Sequence, residues 1–369
     1  MIEQHLQDEL DALKSELKFR SLQTSLTSHY DLDFSSNDYL GLAKNNEFKS
    51  KIYANNNLNS VGAMGSRLLG GNSNVHELCE QVLEKFINYP KCLLFNSGYQ
   101  LNVGVIPTLY KKGDLILADK YVHASIIDGI LQSGASFKRF RHNDTSHLDQ
   151  LLTTYRHEFR HCLIVTESLF SMHADIAPVK QISELSKRYK SEFMLDEAHS
   201  LGVLGPNGKG LAYELGVSPD FIIGTFGKAF GFSGAFIGAS SVVCEYLINC
   251  CRSFIYTTAM PVMCADSIMK AVSMVETMAV SRNKLIELSC ELRRGLIEKG
   301  YKLNGEHHII SIQLGSNKKV LQLQQKLREN HINCAAIRHP TVPKNQECIR
   351  FSLRADHSMS DIKRVLAYV

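Results

Sequence analysis

The chain has 369 residues, with 41 Lys and Arg against 37 Asp and Glu, and 44% of its residues are hydrophobic. That length predicts a large domain plus at least one smaller one, and the composition is that of an ordinary globular protein. A net charge of +4 without any block of like charge gives no basis for a nucleic-acid surface or an interaction tail.

The N-terminal stretch MIEQHLQDELDALKSELKFRSLQ carries acids from its third residue and lacks an apolar centre, so it reads as neither signal nor transit peptide. Its Leu6, Leu10, Leu13 and Leu17 recur at helical spacing and predict an amphipathic helix. No run is long and apolar enough to span a bilayer. The ten cysteines form no C-x-x-C pair, which fits free thiols in a reducing cytosol better than disulfides or a cysteine zinc site. A cytoplasmic location is expected, with no membrane or nucleic-acid partner.

DLDFSSNDYLGLA then reads as a short strand ending in a polar turn, and NNNLNS as a loop. VHELCEQVLEKFIN predicts a helix with Val75, Leu78, Val82, Leu83 and Phe86 on one face. Seven apolar runs follow: KCLLFNSG, DLILADK, SFKRFRH, HCLIVTES, EFMLDEAHS, PDFIIGTFG and GAFIGAS. Helical stretches such as GYQLNVGVIPTLY, HASIIDGILQSG, SHLDQLLTTYRHEF and VKQISELSKRYK separate them. This alternation predicts an α/β fold with a mainly parallel seven-stranded sheet covered on both faces. Polar residues stand where apolar runs stop, at Asn96-Ser97-Gly98, Glu167-Ser168, Asp196-Glu197-Ala198-His199 and Thr225. Chemistry in such sheets gathers at the carboxyl ends of strands. From about Met260 a long helical region leads to a few strands and helices, which predicts a smaller α+β domain. The expected division is an N-terminal helix and arm over 1–45, a large domain over 46–260 and a small C-terminal domain over 261–369.

Three constellations could carry chemistry. His157-Glu158-Phe159-Arg160-His161 has the H-E-x-x-H spacing of zinc hydrolases, which needs one helix to present both imidazoles. The apolar run that begins at His161 predicts that the helix ends between them, so an αβ loop is the better reading and no metal is expected. Gly205 to Gly210, GPNGKG, lacks Walker spacing and is followed by Leu211, so it reads as a loop. The third centres on TFGKAFG, where Lys228 stands among glycines, an alanine and aromatics. Desolvation there would lower its pKa and free its amine. Asp196 ends one strand and Lys228 follows the next. An aspartate and a lysine at neighbouring strand ends are what a pyridoxal phosphate site requires, the lysine as Schiff-base partner and the aspartate on the pyridinium nitrogen. Taken singly, Asp196 could be a helix cap and His123 a histidine satisfied at a helix start.

TFGKAFG followed by Gly234, with FSSNDYLGL, GSRLLGGNSNVHELCE, FNSGYQLN, DKYVHASIIDG, DEAHSLGVLGPNGKG, TTAMP, IRHPTVP and IRFSLRADH, resembles the α-oxoamine synthase family over nearly the whole chain. The resemblance implies the type I fold of pyridoxal-phosphate-dependent transferases and a homodimer with active sites at the subunit interface. It implies that Lys228, Asp196 and His123 carry the catalysis, His123 stacking on the ring. Gly98, Tyr99 and Thr225 would take the phosphate, Thr257 the phosphate of the other subunit's site, and Ser171 and His199 the phenolic oxygen. Asn37 and Arg350 would hold the amino acid's carboxylate, and Arg20 and Thr341 the acyl thioester. Within the family, FSSNDYLGL, GSRLLGG and the short N-terminus are most similar to members that condense L-alanine with a pimeloyl thioester of coenzyme A or acyl carrier protein. A relative using glycine or another acyl donor, or a non-catalytic protein that kept the fold, are the alternatives. The chain departs from the family at FSMHAD, with His173 and Ala174, at VGAMGSR, with Ala63 and Met64, and at Leu101.

Overall fold

The computed structural model describes residues 2–22, 30–54 and 60–369, so most of the NNNLNS segment lies outside the described residues. It divides into two compact units, one of residues 40–170 and 176–282, the other of residues 1–39, 171–175 and 283–369. The expected boundaries at 45/46 and 260/261 therefore differ from those of the units. The helix Val262–Thr277 buries Ala265, Ile268, Ala271, Val272 and Val275 and packs on the helix Asn74–Ile87, which places it in the larger unit.

The larger unit is built on seven strands: β1 (Lys91–Phe95), β2 (Leu115–Asp119), β3 (Ser136–Phe140), β4 (Cys162–Glu167), β5 (Glu192–Asp196), β6 (Phe221–Thr225) and β7 (Ala235–Ala239). Their order is β1-β7-β6-β5-β4-β2-β3. Neighbours from β6 to β3 pair in parallel, and only β7 runs antiparallel to the strands on either side of it. The seven runs predicted from sequence are these seven strands. β2 and β4 are buried along their whole length, as a sheet covered on both faces demands. Each fully buried Leu, Ile or Val of this sheet contributes roughly 1.5–3 kcal/mol. β3 lies at the edge and carries Lys138 and Arg139, charges that discourage a further strand from pairing there.

Two sequence expectations are modified. The helix Asn74–Ile87 buries His76, Cys79, Glu80, Leu83, Phe86 and Ile87, while Leu78 is exposed. The buried face is thus partly polar. Glu80 receives Arg67 through two bonds of 2.8 and 3.1 Å and the N–H of Leu94 at 3.0 Å, and His76 Nε2 lies 2.6 Å from the Met260 carbonyl. The long helical region after Met260 is two helices, Val262–Thr277 and Ala279–Glu298. The H-E-x-x-H segment behaves as its context predicts. The helix Thr145–Tyr155 gives way to a 3₁₀ turn over Arg156–Glu158 before β4, so His157 and His161 do not share a helix.

The smaller unit holds an antiparallel sheet of β8 (Leu303–Asn304), β9 (Ile309–Gln313), β10 (Ala335–Ile337) and β11 (Cys348–Ser352), in the order β10-β11-β9-β8. Leu32–Asp33 pairs in parallel with Ile332–Asn333. The predicted N-terminal helix spans Ile2–Ser15 and leaves Ile2, Leu6, Leu10 and Leu13 exposed. The C-terminal helix Met359–Tyr368 opens with a capping box. Ser358 Oγ accepts the N–H of Asp361 at 3.2 Å and Asp361 accepts the N–H of Ser358 at 2.8 Å. Ser358→Ala removes one acceptor and costs about 1 kcal/mol. Hydrogen exchange of the first-turn amides should accelerate by about fivefold where exchange follows opening of this helix, whereas Ser358→Thr should preserve protection.

Candidate active site

The carboxyl ends of β4, β5 and β6 stand in step. Glu167 pairs with Asp196, Asp196 with Ile223, and Thr225 ends β6 two positions further. On the far side of β7, Ala235 pairs with both Thr225 and Phe95, so the Asn96–Gly98 turn reaches the same edge. The larger unit thereby gathers Gly98, Asp196, His199, Thr225 and Lys228, and the turn after β2 adds His123.

Gly98 opens the helix Gly98–Leu109, whose N-cap Ser97 accepts the N–H of Gln100 at 3.1 Å. A Cβ on Gly98 would stand 2.9 Å from Thr225 Cγ2, so a glycine is needed for the helix N-terminus to approach this strand end. Unpaired N–H groups at a helix start beside a threonine hydroxyl are the donors that a phosphate cradle needs. Tyr99, the next residue, turns its exposed phenol to Asp128. Lys228 is half-buried and donates to Thr225 Oγ1 at 3.2 Å, which ties the amine to the same cradle. Buried Asp196 accepts the N–H of Ala198 through Oδ1 at 2.9 Å, which fixes the carboxylate. His199 is buried in the turn that follows.

His123 caps the helix Ala124–Ser133. Its Nδ1 lies 2.8 Å from Ser125 Oγ and accepts the N–H of Ser125 at 3.3 Å. Asn102 Nδ2 donates to Ser125 Oγ at 3.0 Å, so that hydroxyl directs its own proton to Nδ1. This network assigns the imidazole proton to Nε2. The ring keeps exposed surface, yet enough protein surrounds it that burial lowers its pKa, reinforced by Lys228 and opposed by Asp196 and Asp128. The lowered pKa favours the neutral imidazole.

Thr257 lies on a loop tied down at three points: Asn96 Nδ2 to the Thr258 carbonyl at 2.9 Å, the Ala259 N–H to the Gly65 carbonyl at 2.8 Å, and His76 to Met260. The adjoining surface is apolar and exposed, with Met64 at 89% and Leu69 at 83% alongside Val61, Leu68 and Tyr256.

The smaller unit brings together the other expected residues. Buried Arg350 on β11 donates to Asn37 Oδ1 at 2.7 Å and to Tyr39 Oη at 3.4 Å, while its buried Nε has no hydrogen-bond partner among the described residues. An unpaired guanidinium N–H beside an amide suits a carboxylate. Arg20 Nη2 donates to Thr341 Oγ1 at 2.9 Å. Ser171 begins the departing segment, where His173 Nε2 lies 3.2 Å from Gln346 Oε1 and Ala174 is held at φ 61°, a left-handed conformation that favours glycine.

Sequence reasoning placed no role on Ser125, two residues beyond His123, or on Asn102, which the fold brings to Ser125. It also passed over Glu197, whose buried carboxylate accepts Ser200 Oγ and the N–H groups of Leu211 at 3.0 Å and Ala212 at 2.6 Å, anchoring the turn that holds His199.

Residues 31–369 match the family Aminotransferase class I and II, and the chain belongs to it. A Chlorobaculum parvum protein named 8-amino-7-oxononanoate synthase is 37% identical, aligned over 98% of this chain and 96% of its own length. Among solved structures, SPT with its PLP internal aldimine superposes with a TM-score of 0.90 at 28% identity, covering 99% of this chain and 95% of that one. The 8-amino-7-oxononanoate synthase of Francisella tularensis superposes with a TM-score of 0.79 at 32% identity, covering 91% and 96%.

Gly98→Ala should crowd Thr225. Overpacking costs about 1–3 kcal/mol; felt in full at the phosphate, that is about a 5- to 100-fold loss of pyridoxal phosphate affinity at 1.4 kcal/mol per decade. An absorbance titration of apoprotein that finds undiminished affinity would show that the phosphate sits elsewhere.

Proposed function

We propose that this chain is a pyridoxal-phosphate-dependent acyltransferase that condenses L-alanine with a pimeloyl thioester, releasing carbon dioxide and the free thiol and yielding 8-amino-7-oxononanoate for biotin synthesis. The observation that carries the reading is the gathering of Lys228, Thr225, Gly98, Asp196 and His123 at one edge of the sheet, in a chain with 37% identity to a protein of that name. The cradle at Gly98 and Thr225 and the fixed carboxylate of Asp196 fit the two ends of pyridoxal phosphate. Bound there, the cofactor supplies an electron sink for charge developing at the amino acid's Cα.

The protein's residues do the rest. Lys228 would hold the cofactor through its amine, and that amine, once free, would take the Cα proton of alanine. Asp196 would face the ring nitrogen. His123 would stack on the ring. Ser171 and His199 bond the phenolic oxygen. The Gly98 and Tyr99 N–H groups and Thr225 receive the phosphate. Arg350 and Asn37 hold the alanine carboxylate by paired hydrogen bonds. Arg20 and Thr341 contact the acyl thioester. The new carbon–carbon bond forms between alanine Cα and the acyl carbonyl carbon as the thiol leaves, the alanine carboxylate departs as carbon dioxide, and Cα takes up a proton in its place.

We infer a homodimer in which Thr257 reaches the phosphate of the partner's site. The apolar surface around Met64, Leu69 and Tyr256, joined to the Thr257 loop through Gly65, supports that interface. No helix among the described residues is long and apolar enough to cross a membrane.

Lys228→Ala should lose both the visible absorbance of the bound cofactor and turnover; retained turnover contradicts the assignment. Incubation with alanine, glycine or serine, each with pimeloyl-coenzyme A or pimeloyl-carrier protein, should give product with alanine alone. Serine deserves its place in that panel because a Sphingomonas wittichii serine palmitoyltransferase superposes with a TM-score of 0.88 at 29% identity. The gene should also restore growth of a biotin-requiring strain that lacks this step.

A further inference from the structure

Glu167 is a buried acid that the mechanism above does not use. It is the last residue of β4, only 5% exposed, and its Cα partner on β5 is Asp196. Adjacent parallel strands put paired side chains on the same face of the sheet, so two carboxyl groups stand side by side at the edge where the cofactor binds. The Glu167 carboxyl also accepts the backbone N–H of His123, the residue that caps the helix Ala124–Ser133.

That N–H belongs to a turn already pinned at its start. Asp119, at the end of β2, accepts the N–H of Tyr121 at 2.8 Å, His142 Nδ1 at 2.8 Å and the N–H of Asn143 at 2.9 Å. Glu167 completes the anchoring at the other end, and Ser125 with Asn102 then sets the rotation of the imidazole. The charged and titratable groups that face Glu167 are Asp196 on β5, Lys228 after β6, His123 in the turn and Asp119 on β2. Two anions in such proximity and burial repel, which disfavours charging both. Burial first and Asp196 second push the Glu167 carboxyl well above its ordinary value, and the His123 N–H and Lys228 oppose them only in part.

We propose that Glu167 is a positioning residue of the cofactor site: its buried carboxyl takes the His123 N–H and holds the turn that carries His123 in place beside Asp196. This role rests on the reading that His123 and Asp196 face pyridoxal phosphate. Glu167→Gln keeps the shape and the acceptor. Glu167→Leu removes the acceptor.

The test uses the full-length protein, with the imidazole resonances of apoprotein followed by NMR against pH and assigned with His123→Asn, and with pyridoxal phosphate affinity measured by absorbance titration. For Glu167→Gln, the affinity should stay within about twofold of wild type. For Glu167→Leu, the affinity should fall by about tenfold or more and the His123 resonances should move. Unchanged affinity and resonances in Glu167→Leu would overturn the positioning role, and if that variant fails to fold, Glu167→Met, unbranched like glutamate and also without an acceptor, takes its place with the same two outcomes. Should pyridoxal phosphate leave the His123 resonances of wild type unmoved, the underlying reading of the cofactor site fails independently of Glu167, and the proposal with it.

Discussion

The constraint on which the site depends is the register of β4, β5 and β6. Parallel strands hydrogen-bonded in step present their last side chains in a row, and here that row is Glu167, Asp196 and, two positions beyond Ile223, Thr225. A slip of one residue in any of them would turn its polar end residue to the other face. Near-complete burial of β4 and β5 makes such a slip costly, because every Leu, Ile and Val would have to repack. The hydrophobic core thus fixes the spacing of groups that take no part in it.

Polar groups inside the larger unit follow a common pattern. Each buried acid is supplied with donors from a neighbouring turn: Glu80 by Arg67 and the Leu94 N–H, Glu197 by Ser200 and the N–H groups of Leu211 and Ala212, Asp119 by Tyr121, His142 and Asn143. An unpaired carboxylate at these depths would cost several kcal/mol, on the order of a whole domain's net stability. Each acid therefore fixes one turn relative to the sheet. The turns so fixed are those that bear His123, His199 and, through Gly65 and His76, the loop of Thr257.

Much of this was legible along the chain. Seven apolar runs alternating with helical ones identify the strands, because the doubly covered sheet demands continuous apolar segments. The site's edge was legible too, since Asn96, Glu167, Asp196 and Thr225 each stand where an apolar run stops. The helix Asn74–Ile87 was less so. Periodicity put Leu78 on its buried face, whereas Glu80 and His76 are inside, because their partners Arg67, Leu94 and Met260 come from other segments. Domain limits were blurred for a similar reason. Nothing local distinguishes the helix Val262–Thr277 from the one that follows it, and only its packing on Asn74–Ile87 assigns it to the larger unit.

The sequence by itself determined the strand runs, the placement of polar residues at their ends and the isolated Lys228, since each depends on residue type and local order. Tertiary structure alone decided which ends lie side by side, that Gly98 meets Thr225, that Ser125 and Asn102 orient His123, and that Glu167 stands beside Asp196. Apart from the Ser125–His123 bond, which spans two residues, those are contacts between segments far apart in the chain. Their distances follow from sheet order and register, which arise from the packing of the whole core.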